Sequence, residues 1–154
     1  MEKRKEFPVA ETLSRAVAIL NGRLNRKFHS AWDKGVRRYA LDLLGSLSEL
    51  AEYDGVSRGD LHDRSSLEAL LLNGARDWHE YSEGGCSLIY DRDIAERLCC
   101  PSELKRCRHG NRRPNRRETW IDVQARALYQ AERWIITAFN IVLFQEMGWV
   151  ADER

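Results

Sequence analysis

From Leu104 to Arg117 the chain reads Leu-Lys-Arg-Cys-Arg-His-Gly-Asn-Arg-Arg-Pro-Asn-Arg-Arg, seven cations and no acid in fourteen residues. Guanidinium groups grip phosphates and carboxylates through planar, bidentate hydrogen bonds, and a cluster of them speeds encounter with anionic partners. The candidate contact residues are Lys105, Arg106, Arg108, Arg112, Arg113, Arg116 and Arg117. The full chain has 25 Lys+Arg against 24 Asp+Glu, so without these seven the remainder holds 18 cations against 24 acids. A near-neutral total therefore conceals a local basic site.

The placement of these charges argues for a ligand. Gly110, Asn111, Pro114 and Asn115 mark a loop, and Asn115 with Glu118 three residues on can cap a following helix. Arg116 and Arg117 then sit at a helix N-terminus, where cations oppose the helix dipole but converge with free backbone N–H groups on an anion. The bland alternative is a solvated loop whose charges pair with the acidic remainder. The segment contains no aromatic residue on which a base could stack, so the pattern supports phosphate contact without sequence readout.

Two other chemistries are represented. Cys86, Cys99 or Cys100, Cys107 and His109 are ligands of the kinds zinc takes, but their spacing lacks the two-residue gap of a zinc knuckle. Free cysteines are more often small buried hydrophobes. Asp91, Asp93 and Glu96, with His79 and Glu80, could assemble a metal-dependent nuclease-like site in which carboxylates hold a cation and a base activates water. On a helix, however, Asp93 and Arg97 make an ordinary ion pair four residues apart. No phosphate-binding loop, dinucleotide fingerprint, nucleophile elbow or paired-histidine metalloprotease motif is present, and no cofactor is expected.

The elements that must position these residues read as helices. At 154 residues and 43% hydrophobic, the chain is expected to form a single domain, 1–154, with a loose N-terminus over 1–7. Pro8 opens a first helix carrying Leu13, Val17, Leu20 and Leu24. A second runs from Ser30 to Tyr53 with Trp32, Val36, Tyr39, Leu43, Leu47 and Leu50 on one stripe. Residues 54–60 read as turn chemistry, and Ser65 with Glu68 forms a capping box for a third helix bearing Leu67, Leu70, Leu71 and Trp78, with Gly74 as an interruption. Gly84-Gly85 ends it, and Cys86 to Tyr90 is a short apolar run of undecided type. Short helices over Asp91–Leu98 and Pro101–Cys107 lead to the basic loop at 105–117.

The last helix is the longest, and beyond Arg133 it is apolar on nearly every side. Trp134 to Phe144 is too short to cross a bilayer and holds Asn140, so it reads as a central buried helix. The expected fold is an all-α bundle of about five to six helices. The basic start lacks an apolar run behind it, and the clustered cysteines suit reducing conditions, so a cytoplasmic location is expected.

The segment Tyr81-Ser-Glu-Gly-Gly-Cys-Ser-Leu-Ile-Tyr-Asp-Arg-Asp-Ile-Ala-Glu-Arg-Leu-Cys, continued by Pro101-Ser-Glu-Leu-Lys and Arg117-Glu-Thr-Trp-Ile-Asp-Val-Gln-Ala-Arg-Ala-Leu-Tyr-Gln, resembles a group of uncharacterised small proteins of anaerobic gut bacteria and their mobile elements. The resemblance covers roughly the last half of the chain and implies no activity or catalytic residue. It implies a mobile-element or phage setting, in which small proteins often act as DNA-binding regulators or as anti-defence inhibitors of restriction or CRISPR machinery. The expected function is binding to nucleic acid or a nucleoprotein through the Arg-rich loop. The alternatives are a protein-directed inhibitor docking that loop on an acidic protein surface, and a metal-dependent nuclease.

Overall fold

Pro8 starts the first helix, α1 (Val9–Asn21), with its fixed φ of −61°. It has no polar side chain to offer, and its carbonyl accepts the first helical bond from Thr12 N–H at 2.9 Å. The structure, a computed structural model, describes residues 6–72 and 120–153. Among these, Leu13, Ala16, Ile19 and Leu20 form the buried stripe of α1, with Val17 packed at its edge. Leu24 follows beyond the helix end and is buried too. A 3-10 turn over Asn25–Lys27 then redirects the chain.

The second helix, α2 (Ala31–Asp54), begins with a capping box. Asp33 N–H donates to Ser30 Oγ at 3.0 Å, and Ser30 N–H returns a bond to the Asp33 carboxylate. Such a cap is worth about 1 kcal/mol because it satisfies donors that the first turn leaves free. Val36, Tyr39, Ala40, Leu43, Leu44 and Leu47 face the core, and Gly55 ends the helix at φ 69°, a left-handed conformation in which a side chain is strained. The expected turn over 54–60 is shorter than that. It gives way to α3 (Arg58–His62), which is opened by a second capping box from Ser57 and Asp60.

A fourth helix, α4, occupies residues 64–72. Its cap differs from the expected Ser65–Glu68 box: the Asp63 carboxylate accepts from Ser66 N–H at 3.0 Å. Asp63 has the extended backbone that a cap requires (φ −103°, ψ 120°), whereas Ser65 already lies inside the first turn. Glu68 turns instead to Arg64, one helical turn back, at 3.1 Å. Leu67 and Leu71 are buried and Leu70 packs at the margin.

The last element is α5 (Trp120–Glu146), 27 residues long. Ala127, Ala131, Ile135, Ala138, Phe139 and Val142 are all buried along one side. The alanines leave room for α1 and α2 to approach closely, while Ile135 and Phe139 fill the space between them, each large apolar side chain contributing about 1.5–3 kcal/mol by leaving water. Asn140 is exposed, and no helix among the described residues is long and apolar enough to cross a membrane.

Helix directions follow from three sets of contacts. Phe7 N–H meets Glu146 while the Phe28 and Trp134 rings lie 4.6 Å apart, so α1 runs antiparallel to α5. Trp32 Nε1 donates to Gln130 Oε1 at 2.7 Å and Arg58 pairs with Glu146, so α2 runs parallel to α5. His62 stands edge-on to Phe139 and Glu68 meets Glu132, so α4 returns antiparallel. The described part is thus all-helical, with five α-helices and a 3-10 turn and no strand.

Within the stretch expected to be loose, Phe7 is held firmly, being only 3% exposed with Arg15 lying 3.8 Å above its ring. Gly74, Trp78, the Cys86–Tyr90 run, the helices expected over 91–98 and 101–107 and the Asn115–Glu118 cap all lie outside the described residues.

Candidate functional site

All seven cations of the basic segment, Lys105 to Arg117, lie outside the described residues, as do the zinc candidates Cys86, Cys99, Cys100, Cys107 and His109. The same is true of His79, Glu80, Asp91, Asp93 and Glu96. Among the described residues, no group of three or more His, Cys, Asp or Glu could hold a metal ion. The described chain instead shows what stands beside the point, ten residues into α5, where Trp32 of α2 meets Gln130.

That point is itself basic. Residues 21–38, which run from the end of α1 through the first two turns of α2, carry Arg23, Arg26, Lys27, Lys34, Arg37 and Arg38 against Asp33 alone. Trp32 projects from the first turn of α2 and is fixed by its bond to Gln130, and the Arg126 guanidinium lies 4.8 Å over its ring. Two turns beyond Arg126 on α5, Arg133 lies 5.6 Å over the Tyr129 ring and donates to its hydroxyl at 2.9 Å. Arg126, Tyr129, Gln130 and Arg133 share a face because residues three and four apart are helical neighbours. Among the described residues, Arg26, Lys27, Lys34 and Arg133 form no ion pair. Arg38 is taken up by Asp42 at 3.8 Å and Arg37 by Asn21 at 2.7 Å. Burial raises the pKa of Asp42, against the pull of Arg38.

The one sign of this region in the sequence is the charge of residues 21–38, six cations to one acid. Its partners on α5, Arg126 and Arg133, lie about a hundred residues away in the chain, and only the fold brings them alongside.

The opposite end is acidic. Residues 49–63 hold Glu49, Glu52, Asp54, Asp60 and Asp63 against Arg58 alone. Glu146, 4% exposed, receives both the Arg58 guanidinium and the Phe7 N–H, the latter at 2.8 Å, and so ties α3 and the chain start to the end of α5. The C-terminal tail folds back along α1. Arg15 bonds Asp152 at 2.8 Å, Glu11 at 2.7 Å and Gln145 at 3.2 Å, while Arg23 takes Glu153 and the Ala151 carbonyl. Burial lowers the Arg15 pKa, but the bonds to Asp152 and Glu11 outweigh it and raise the pKa overall. An open cleft of about 220 Å³ beside these groups is lined by Glu11, Arg15, Ala18, Gln145, Asp152 and Glu153. Its charges are already paired, so the arrangement works as a strap.

Two carboxyls depart from ordinary behaviour. Partial burial, and then a hydrogen bond and repulsion from Glu68, push Glu132 up to about 7, with Arg64 opposing. The Ser66 backbone N–H holds Asp63 below the usual carboxylate range. Beyond the strap, an apolar pair stands out: the Phe144 and Trp149 rings stack with centroids 6.0 Å apart, and Trp149 is 71% exposed.

No protein-family model, curated protein or solved structure matches this chain.

Proposed function

We propose that the chain is a non-enzymatic binding protein of a mobile element that engages nucleic acid, alone or in a nucleoprotein, through Lys105, Arg106, Arg108, Arg112, Arg113, Arg116 and Arg117. The observation that carries this reading is the run of seven cations without an acid, three residues ahead of Trp120, where α5 is already helical. Support comes from the surroundings. The described residues add Arg26, Lys27 and Arg133, which make no ion pair among them, while Glu49, Glu52, Asp60 and Asp63 gather about the other end of α2.

The test is a binding titration of labelled DNA and RNA with the full chain. Affinity falls steeply with salt, as it does whenever cations displace the counterions of a phosphate backbone. Replacing Arg112, Arg113, Arg116 and Arg117 together by Ala weakens binding by roughly 100-fold or more at moderate salt. Unchanged affinity in that variant removes the segment from the interface.

A second reading has one observation in its favour. Trp149 stacked on Phe144, with Met147 exposed beside them, is an apolar surface of the kind protein partners cover. A protein-directed inhibitor of a host defence system would use it together with the basic segment. Such a protein would co-purify with its target and show no affinity for free nucleic acid.

A further inference from the structure

We propose that Arg15, Arg23 and Gln145 form a recognition site for a short acidic peptide, and that in this chain the site is blocked by its own residues 151–153. The inference goes beyond the nucleic-acid reading and uses none of its residues.

A cap sets the course of the segment that follows α5. Gly148, at φ 75°, donates its N–H to the Gln145 carbonyl at 3.0 Å, and Trp149 N–H donates to the Phe144 carbonyl at 2.9 Å. The stacked Phe144 and Trp149 rings supply the apolar contact that accompanies such a cap. Residues 151–153 then lie along α1, where both backbone and side chains are bound. Gln145, 7% exposed, donates from Nε2 to the Ala151 carbonyl at 3.3 Å, and Arg23 donates to the same oxygen. Arg15 Nη1 donates to Asp152 at 2.8 Å, while Glu11 holds Nε of the same guanidinium at 2.7 Å and so fixes its direction. Arg23 gives both Nε and its backbone N–H to Glu153, the latter at 3.4 Å. Gly22 leaves the space for that carboxylate, since a Cβ there would stand 2.5 Å from Glu153 Oε2.

One backbone carbonyl and two successive carboxylates held by a pair of guanidinium groups is the arrangement by which acidic motifs are recognised between chains. The hold is polar. None of residues 150–153 is buried, so lifting the segment withdraws no side chain from the core. The Asp152 side chain is 61% exposed and that of Arg23 31%, and ion pairs so open to water bind weakly and are screened by salt. The open cleft of about 220 Å³ beside Arg15 gives an incoming peptide room to enter. Pairing within the chain does not exclude a partner here, because the acids that satisfy Arg15 and Arg23 belong to a segment outside the helices. A matching partner offers a small residue followed by two acids. Tethering gives the chain's own segment an effective concentration on the order of millimolar, which keeps free peptides out until it is weakened or displaced.

The experiment measures fluorescence anisotropy of a labelled peptide, Met-Gly-Trp-Val-Ala-Asp-Glu, which copies residues 147–153, and of a control peptide ending in Asn-Gln. Each is titrated with the full wild-type chain, with Asp152→Asn/Glu153→Gln, and with that double variant carrying Arg23→Ala as well. The double variant keeps the size of the blocking segment and removes its charges. It is expected to bind the acidic peptide at least about 10-fold more tightly than wild type does, because the tethered competitor is weakened. The control peptide should gain nothing, added salt should reverse the gain, and Arg23→Ala should abolish it. Acidic-peptide affinity of the double variant equal to that of wild type, or equal to its affinity for the control peptide, overturns the inference and leaves 151–153 as a structural strap. Circular dichroism follows the fold of each variant. A double variant that loses its helices would make the segment part of the folded core and overturn the inference as well.

Discussion

The two ends of α2 carry opposite charge and treat it in opposite ways. At its C-terminal end several of the charges are spent on the protein itself. Glu146 takes Arg58 and the Phe7 N–H, Asp60 and Asp63 cap helices, and nearby Arg15 binds Glu11 and Asp152. At its N-terminal end Arg23, Arg37 and Arg38 are bonded to Glu153, Asn21 and Asp42, but Arg26, Lys27, Lys34 and Arg133 make no ion pair among the described residues. Charges satisfied internally hold the fold, and charges left to solvent remain for a partner. Helix electrostatics does not account for this polarity, because Glu52 and Asp54 stand in the last turn of α2, where acids oppose the dipole.

If one end is structural and the other functional, substitutions at the two ends separate stability from binding. The largest loss of stability is expected for Glu146→Ala. It takes the carboxylate away from the partly buried Arg58 guanidinium and from the Phe7 N–H, costing about 2–3 kcal/mol in a denaturant titration. A variant that melts like wild type would show that the Glu146 bonds hold nothing. Ser30→Ala removes the capping box of α2 and costs about 1 kcal/mol by the same measurement.

The pH dependence gives a third contrast, at the junction of α4 and α5. The pKa of Glu132 is raised on folding to about 7, so the folded state binds the extra proton more tightly than the unfolded chain does. The stabilising effect of this group is complete below its ordinary pKa near 4.5 and is lost as pH rises through about 7. Glu132→Gln should flatten that window, by about 1 kcal/mol or less because the side chain is partly solvated. A Tm-versus-pH profile unchanged in Glu132→Gln would remove Glu68 and Glu132 from the account. The smallest effect on stability belongs to the basic end: Arg26→Ala/Lys27→Ala should shift unfolding by less than about 0.5 kcal/mol while weakening nucleic-acid binding. A large loss of stability there would make the two ends alike.

The sequence shows the helices plainly because their apolar residues recur at helical spacing. Leu13, Leu20, Val36, Leu43 and Leu47 are all buried where that spacing places them. Caps are less legible. Asp63 and Ser65 are both plausible capping residues two positions apart, and only the extended backbone at Asp63 decides between them. Phe7 escapes notice because it stands alone between charged residues and a proline, and its burial depends on Glu146, 139 residues away. The bond between α2 and α5 is illegible for the same reason: Trp32 meets Gln130 across 98 residues, and no local pattern announces the meeting. The basic segment has the converse character. It is evident from composition alone, and its geometry lies outside the described residues.

The salt dependence of nucleic-acid affinity, compared between the wild-type chain and the variant with Arg112, Arg113, Arg116 and Arg117 replaced by Ala, tests the central claim most directly. The account predicts a steep wild-type slope that falls by roughly 3 in the variant, since each phosphate contact contributes about 0.7–0.9. Identical slopes would contradict it.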